Sequence, residues 1–152
     1  MMRKILVAID GSDHAGKALD LAVDLAKTYQ AELTILHVVA YEMMPDEMRK
    51  LASAEHMHLE DAEAQFHYQR SAFGDQLTRE ALARARTAGV KDVEALSAEG
   101  GPAERILDVA AARGVDAIVL GRRGRGHLAG LLMGSVSHKV SNLASCACIT
   151  VI

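Results

Sequence analysis

The residues best suited to chemistry lie in one stretch of the C-terminal third. It runs Gly121, Arg122, Arg123, Gly124, Arg125, Gly126 and His127, and continues through Gly130 and Gly134 to Ser135 and Ser137. Glycines let backbone N–H groups approach an anion without side-chain interference. Ser135 and Ser137 offer hydroxyl donors, and Arg122, Arg123 and Arg125 offer positive charge. The stretch ends where a helix is expected to begin, and the free N–H groups and dipole of a helix N-terminus favour negative charge. Together these features describe a phosphate site. Hydrogen bonds involving charged groups contribute roughly 1.5–3 kcal/mol each. A few of them suffice for a triphosphate at about micromolar affinity, which needs roughly 8 kcal/mol. The plain alternative is a flexible connection from strand to helix.

The loop is not a Walker motif, because no Gly-Lys-Ser/Thr closes it. Nor is it the dinucleotide fingerprint, which belongs after the first strand. There the chain has Asp10, Gly11 and Ser12. Asp10 either contacts a ligand or caps its own turn and the helix beyond.

Both segments need elements to position them. Ile5-Leu6-Val7-Ala8-Ile9 is a continuous apolar run of the kind buried on both faces of a parallel sheet. Ala15, Ala18, Leu19, Ala22, Val23 and Ala26 give an amphipathic helix over about 13–29. A second strand follows at 32–39. The region 41–88 is rich in Ala, Glu, Met and Arg and reads as mostly helical, with Pro45 near its start, an interruption at Gly74 and a stop at Gly89. A third strand is expected at 93–98. Pro102 then opens a helix that Gly114 ends. Strands at 115–120 and 147–152 flank the glycine loop and a helix over 135–144. The alternation β-α-β-α-β-α-β-α-β implies an α/β fold, an open doubly wound parallel sheet of five strands in a single domain over 1–152. Such sheets bind ligands beyond the C-terminal strand ends, where strand order reverses. Both candidate segments fall there.

Composition narrows the function classes. With 17 basic and 20 acidic residues the net charge is −3, which gives no basic surplus for broad nucleic-acid binding. No stretch approaches the ~20 apolar residues of a membrane span, and the five-residue run at Ile5–Ile9 is too short for a signal-peptide core. A soluble, cytoplasmic protein is expected. The two cysteines, Cys146 and Cys148, are poor disulfide partners at this spacing and read as buried small apolar residues.

The detailed pattern resembles the universal stress protein family, in its ATP-binding subgroup. That subgroup carries Gly, two residues, Gly, nine residues, then Gly-Ser or Gly-Thr, and here Gly121, Gly124, Gly134 and Ser135 stand in that register. The flanks at 4–12, 101–107 and 116–121 are similar too, so the likeness covers nearly the whole chain apart from about 41–74. It implies a Rossmann-like sheet with strand order 3-2-1-4-5 and helices on both faces. It places Asp10 at the ribose or adenine and the Val38 backbone at adenine. Gly121, Gly124, Gly134, Ser135, Val136 and Ser137 would hold the phosphates, with Arg123 beside them and Mg2+ accompanying ATP on no identified protein ligand. It implies a homodimer through 147–152, extending to a tetramer in some assemblies. It also implies regulation of a partner protein in stress physiology, a membrane transporter being one class of target. One departure is Cys146-Ala147-Cys148, where many relatives have Cys-Pro-Val, which restores a backbone donor at Ala147.

Other readings compete. Slow ATP hydrolysis or autophosphorylation at Ser135 or Ser137 is the enzymatic alternative, but no general base stands out, His127 being the nearest candidate. An interaction protein without nucleotide is the third. His56, His58 and His67 with Glu60 and Glu63 do not assemble a closed metal site. Met43, Met44, Met48 and Met57 are expected to pack on helices or a partner.

Overall fold

The structure is a computed structural model that describes residues 1–125 and 133–152. Its element order is β1 (Lys4–Ala8), α1 (Asp13–Tyr29), β2 (Glu32–Val39), α2 (Asp46–Ala54), α3 (Leu59–Thr87), β3 (Val93–Glu99), α4 (Pro102–Arg113), β4 (Ala117–Gly121), α5 (Ser135–Leu143) and β5 (Ala147–Val151). The strands form one sheet in the order β3-β2-β1-β4-β5. All described pairings are parallel, with Val7 opposite Ile35 on one side and Val119 on the other. Order reverses between β1 and β4, as expected.

Strand periodicity divides the core. Ile5, Val7, Leu33, Ile35 and Val119 point to the face covered by Ala18, Leu19, Ala22 and Val23 of α1 and by Ala81 and Ala85 of α3. Leu6, Leu36, Ile118 and Leu120 point to the other face, under Ala103, Ile106 and Ala110 of α4 and Val140 of α5. A full cover on both sides explains why β1 and β4 read as unbroken apolar runs. Alanines on α1 and α3 let these helices lie close to the sheet.

The helix ends follow local chemistry. Ser12 caps α1, its Oγ accepting the Ala15 N–H at 3.2 Å. Pro102 sits in the first turn of α4, and Gly114 ends it in the left-handed region at φ 60°. Asp116 ties the start of β4 to the start of β1: its Oδ2 accepts the N–H groups of Arg3 at 2.7 Å and Lys4 at 2.9 Å. Those two donors hold its carboxyl below the usual range.

Two expectations need correction. Gly74 does not interrupt a helix; α3 runs through it. The break falls instead at 55–58, where His56 takes a positive φ of 58°. Gly74 is buried against His37 of β2, and a Cβ there would lie 2.5 Å from His37 Cδ2. Glycine is therefore a spacing device for helix-on-sheet packing at this point. Cys146 and Cys148 are free and half-buried rather than buried. They lie on or beside β5, which among the described residues has only β4 as a neighbour in the sheet. Partial burial, with the Cys148 thiol adding to it, pushes the Cys146 thiol above its ordinary value. Of the methionines, Met44 is buried with Ala52, Ala62 and Phe66 in a small cluster between α2 and α3, whereas Met43 is exposed. No described helix is long and apolar enough to cross a membrane.

Candidate functional site

Beyond the C-terminal ends of β1, β2 and β4 lies a cleft of ≈ 360 Å³. Its volume falls within the range of small-molecule sites. The nine residues singled out above, Asp10, Val38, Gly121, Arg123, Gly124, Gly134, Ser135, Val136 and Ser137, all line it. They come from the turn after β1, from β2 and β4, the loop after β4 and the first turn of α5. His127 lies outside the described residues.

The cleft has two chemical characters. Ala8, Leu36, Val38, Pro102 and Ile106 form an apolar section from the strand ends and α4. Asp10, Ser12, Arg123, Gly124, Gly134 and Ser135 form a polar section. Here the N-cap of α5 is Gly134, which supplies no side-chain hydrogen bond to the first turn. The opening N–H groups of α5 are thus left for another acceptor, the arrangement that suits an anion.

Each polar residue is held by the fold. Asp10 closes a turn, Oδ1 accepting the Ser12 N–H at 2.9 Å. Its Oδ2 faces the glycine loop, since a Cβ at Gly124 would come within 2.6 Å of it. Asp10 therefore caps its own turn and lines the cleft at once. Gly121 lies against the first turn of α1, where a Cβ would stand 2.8 Å from the backbone carbon of His14. The Arg123 N–H donates to His14 Nδ1 at 3.2 Å.

Ser137 is buried, and its hydroxyl donates to the carbonyl of Arg122 at 2.7 Å and to that of Gly134 at 3.0 Å. The Gly134 N–H donates to the same Arg122 carbonyl at 2.8 Å. The Ser137 hydroxyl proton thus holds the two ends of the glycine loop together, while Ser135 stays at the cleft.

His14, Glu42 and Phe73 escaped the sequence reading, whereas Arg125 was already among its loop charges. His14 anchors Arg123 from the far end of the chain. Glu42 and Arg125 also line the cleft; Glu42 pairs with Arg70 of α3 at 2.5 Å, and the Arg125 guanidinium carbon lies 5.0 Å from the centre of the Phe73 ring. Glu42 and Phe73 belong to the segment with no family pattern, and only the three-dimensional fold brings them here. Among the described residues no group of three or more His, Cys, Asp or Glu side chains is placed to hold a metal ion.

Fold and cleft define an open doubly wound α/β domain with an anion-suited helix terminus at its switch point. A model of the universal stress protein family matches residues 1–151, and the chain belongs to that family. It is 40% identical to the universal stress protein YxiE of Bacillus subtilis over 161 aligned positions, covering 96% of each chain. Universal stress protein UspA from Lactobacillus plantarum superposes with a TM-score of 0.83 at 26% identity, covering 99% of this chain and 98% of that one. A universal stress protein solved in complex with cAMP has a TM-score of 0.65 at 27% identity, covering 99% and 96% of the two chains.

Proposed function

We propose that this chain binds ATP in the cleft and acts as a nucleotide-dependent regulator of a partner protein, a membrane transporter being one candidate class. The observation that carries the reading is the division of one cleft into an apolar section and a glycine-lined section at an uncapped helix N-terminus. Adenine fits the first, beside the Val38 backbone. Phosphates fit the second, against Gly121, Gly124 and the opening N–H groups of Ser135, Val136 and Ser137. Arg123 adds charge, and Asp10 offers a carboxylate oxygen to the ribose. The cAMP complex of a similar protein supports an adenine nucleotide in this fold. Mg2+ fits as an escort of the triphosphate, keeping its own waters, as this ion commonly does.

The test is calorimetric titration of ATP with Mg2+ into nucleotide-stripped protein. About one site per subunit with micromolar affinity is expected, roughly −8 kcal/mol. Gly124→Val should abolish the heat while the far-UV spectrum stays native, because its side chain enters the space facing Asp10 Oδ2. Unchanged affinity in the folded variant would sink the assignment of the loop. Following ADP production in the same samples separates stable binding from slow hydrolysis.

We further propose a homodimer through β5. This edge strand leaves Ile149 and Val151 half-buried, and Ile152 beyond it is exposed; apolar edges of this kind are commonly covered or paired. Val151→Glu should shift the sedimentation mass from dimer to monomer. A wild-type protein that sediments as a monomer under the same conditions would refute the pairing.

A further inference from the structure

We propose that Phe73 of α3 is a positioning residue for the phosphate end of the cleft, holding both segments that flank it. The proposal concerns the same cleft and rests on the nucleotide reading for its functional consequence. One side of the argument is the turn after β1. Gly11 there has φ 83°, and a Cβ on it would lie 3.0 Å from Phe73 Cζ and 3.7 Å from Cε1. The ring therefore packs directly on the Asp10–Gly11–Ser12 turn, whose carboxylate and hydroxyl line the cleft. The other side is the start of the glycine loop, where the Arg125 guanidinium stands over the ring at 5.0 Å. Arg125 lines the cleft, so the ring fixes where that charge is presented.

The ring is itself fixed from below. Its neighbour Gly74 lets α3 descend onto His37. His37 meets Phe73 edge-on, with centroids 6.2 Å apart and planes at 78°. The buried His37 is held in turn by its Nδ1–H, which donates to the Ile9 carbonyl at 2.8 Å. A line of contacts thus runs from the sheet through one aromatic ring to both loops. Holding a cation at an aromatic face costs little entropy at the moment a phosphate arrives, because the ring has already ordered it. Leucine at this position would keep the apolar contact with Gly11 and lose the face that attracts Arg125.

The test has two arms. In nucleotide-free protein, NMR of the Arg125 Nε–Hε group and δ-methylene, assigned by comparison with Arg125→Lys, should show ring-current shifts. These should vanish in Phe73→Leu and persist in Phe73→Tyr. In titrations with Mg-ATP, Phe73→Leu should weaken binding by about two- to five-fold, the range of an exposed cation–π contact. Phe73→Tyr should restore it. Phe73→Leu combined with Arg125→Ala should bind no more weakly than Arg125→Ala alone. Arg125 signals that do not differ between wild type and Phe73→Leu, or losses that multiply in the double variant, would overturn the proposal. Absence of ATP binding by wild type would defeat the nucleotide reading, and the ring-current arm would then decide the role of Phe73 by itself.

Discussion

Replacing Gly74 with alanine sets two opposing effects against each other, and the structure decides which wins. In an open helix interior, alanine is favoured over glycine by about 0.8–1.0 kcal/mol. At Gly74, however, the new methyl would stand 2.5 Å from Cδ2 and 3.0 Å from Nε2 of His37, and 3.5 Å from Val39 Cγ2. His37 has no room to yield: it is 7% exposed and hydrogen-bonded to Ile9. Overpacking of a close-packed interior costs about 1–3 kcal/mol. Displacing His37 from Ile9 adds about 0.5–1.5 kcal/mol. The expected net loss is about 0.5–3.7 kcal/mol after the helix gain is subtracted. Gly16 is the internal control, since it lies within α1 and a methyl added there would meet nothing within 4 Å. Gly16→Ala should gain about 0.4–1 kcal/mol. Urea unfolding followed by circular dichroism reads both variants as shifts in midpoint at constant slope. A Gly74→Ala protein as stable as wild type, or glycines that shift the midpoint in the same direction, would refute the reasoning.

Three further outcomes follow from the same contacts. Ser12→Ala removes the oxygen that accepts the Ala15 N–H and should cost about 0.5–2 kcal/mol by urea midpoint, with Ser12→Asp recovering most of it. Gly121→Ala pushes a methyl to 2.8 Å from the His14 backbone carbon and 2.9 Å from Ala15 N. It should lose about 1–3 kcal/mol of stability and weaken ATP uptake, read by melting and calorimetry. The Asp116 carboxyl is held below its usual range by the Arg3 and Lys4 N–H groups. Its contribution is fully present above the ordinary carboxylate value near 3.9 and is lost as pH falls through the lowered folded value. The midpoint gap between wild type and Asp116→Ala should hold steady from about pH 7 to 5 and narrow below about pH 4, in a urea series across that range.

Much of this architecture was legible because the governing interactions are local. The apolar runs of β1 and β4 carry their burial in their own residues, and Ser12, Pro102 and Gly114 mark helix ends by chemistry that acts within a turn. The cleft position followed once parallel strands were accepted, since such sheets bind ligands beyond their C-terminal strand ends; the strand order 3-2-1-4-5 came only with the family resemblance. The glycine loop was legible for the same reason, its spacing being a property of one segment. Gly74 was not: an interior glycine reads as a break unless the histidine it must approach is known, and His37 belongs to another element. The break at 55–58 carries no glycine or proline to announce it. His14 reaches Arg123 across 109 positions, a distance over which spacing has no information. Cys146 and Cys148 sit in an apolar context, but their exposure depends on the edge position of β5, a property of the sheet as a whole.

The paired bonds at the Arg122 carbonyl bear on how this family can diversify. Gly134 N–H and Ser137 Oγ both close on that one oxygen, so the chain between is pinned at its base, independently of its length. For a segment tied in this way, doubling the number of residues costs only about 0.6 kcal/mol in closure entropy. The α5 N-terminus can then keep its place beside Arg122 when residues between the two ties change, so the fold of the domain tolerates changes there that nucleotide binding at Gly124 does not.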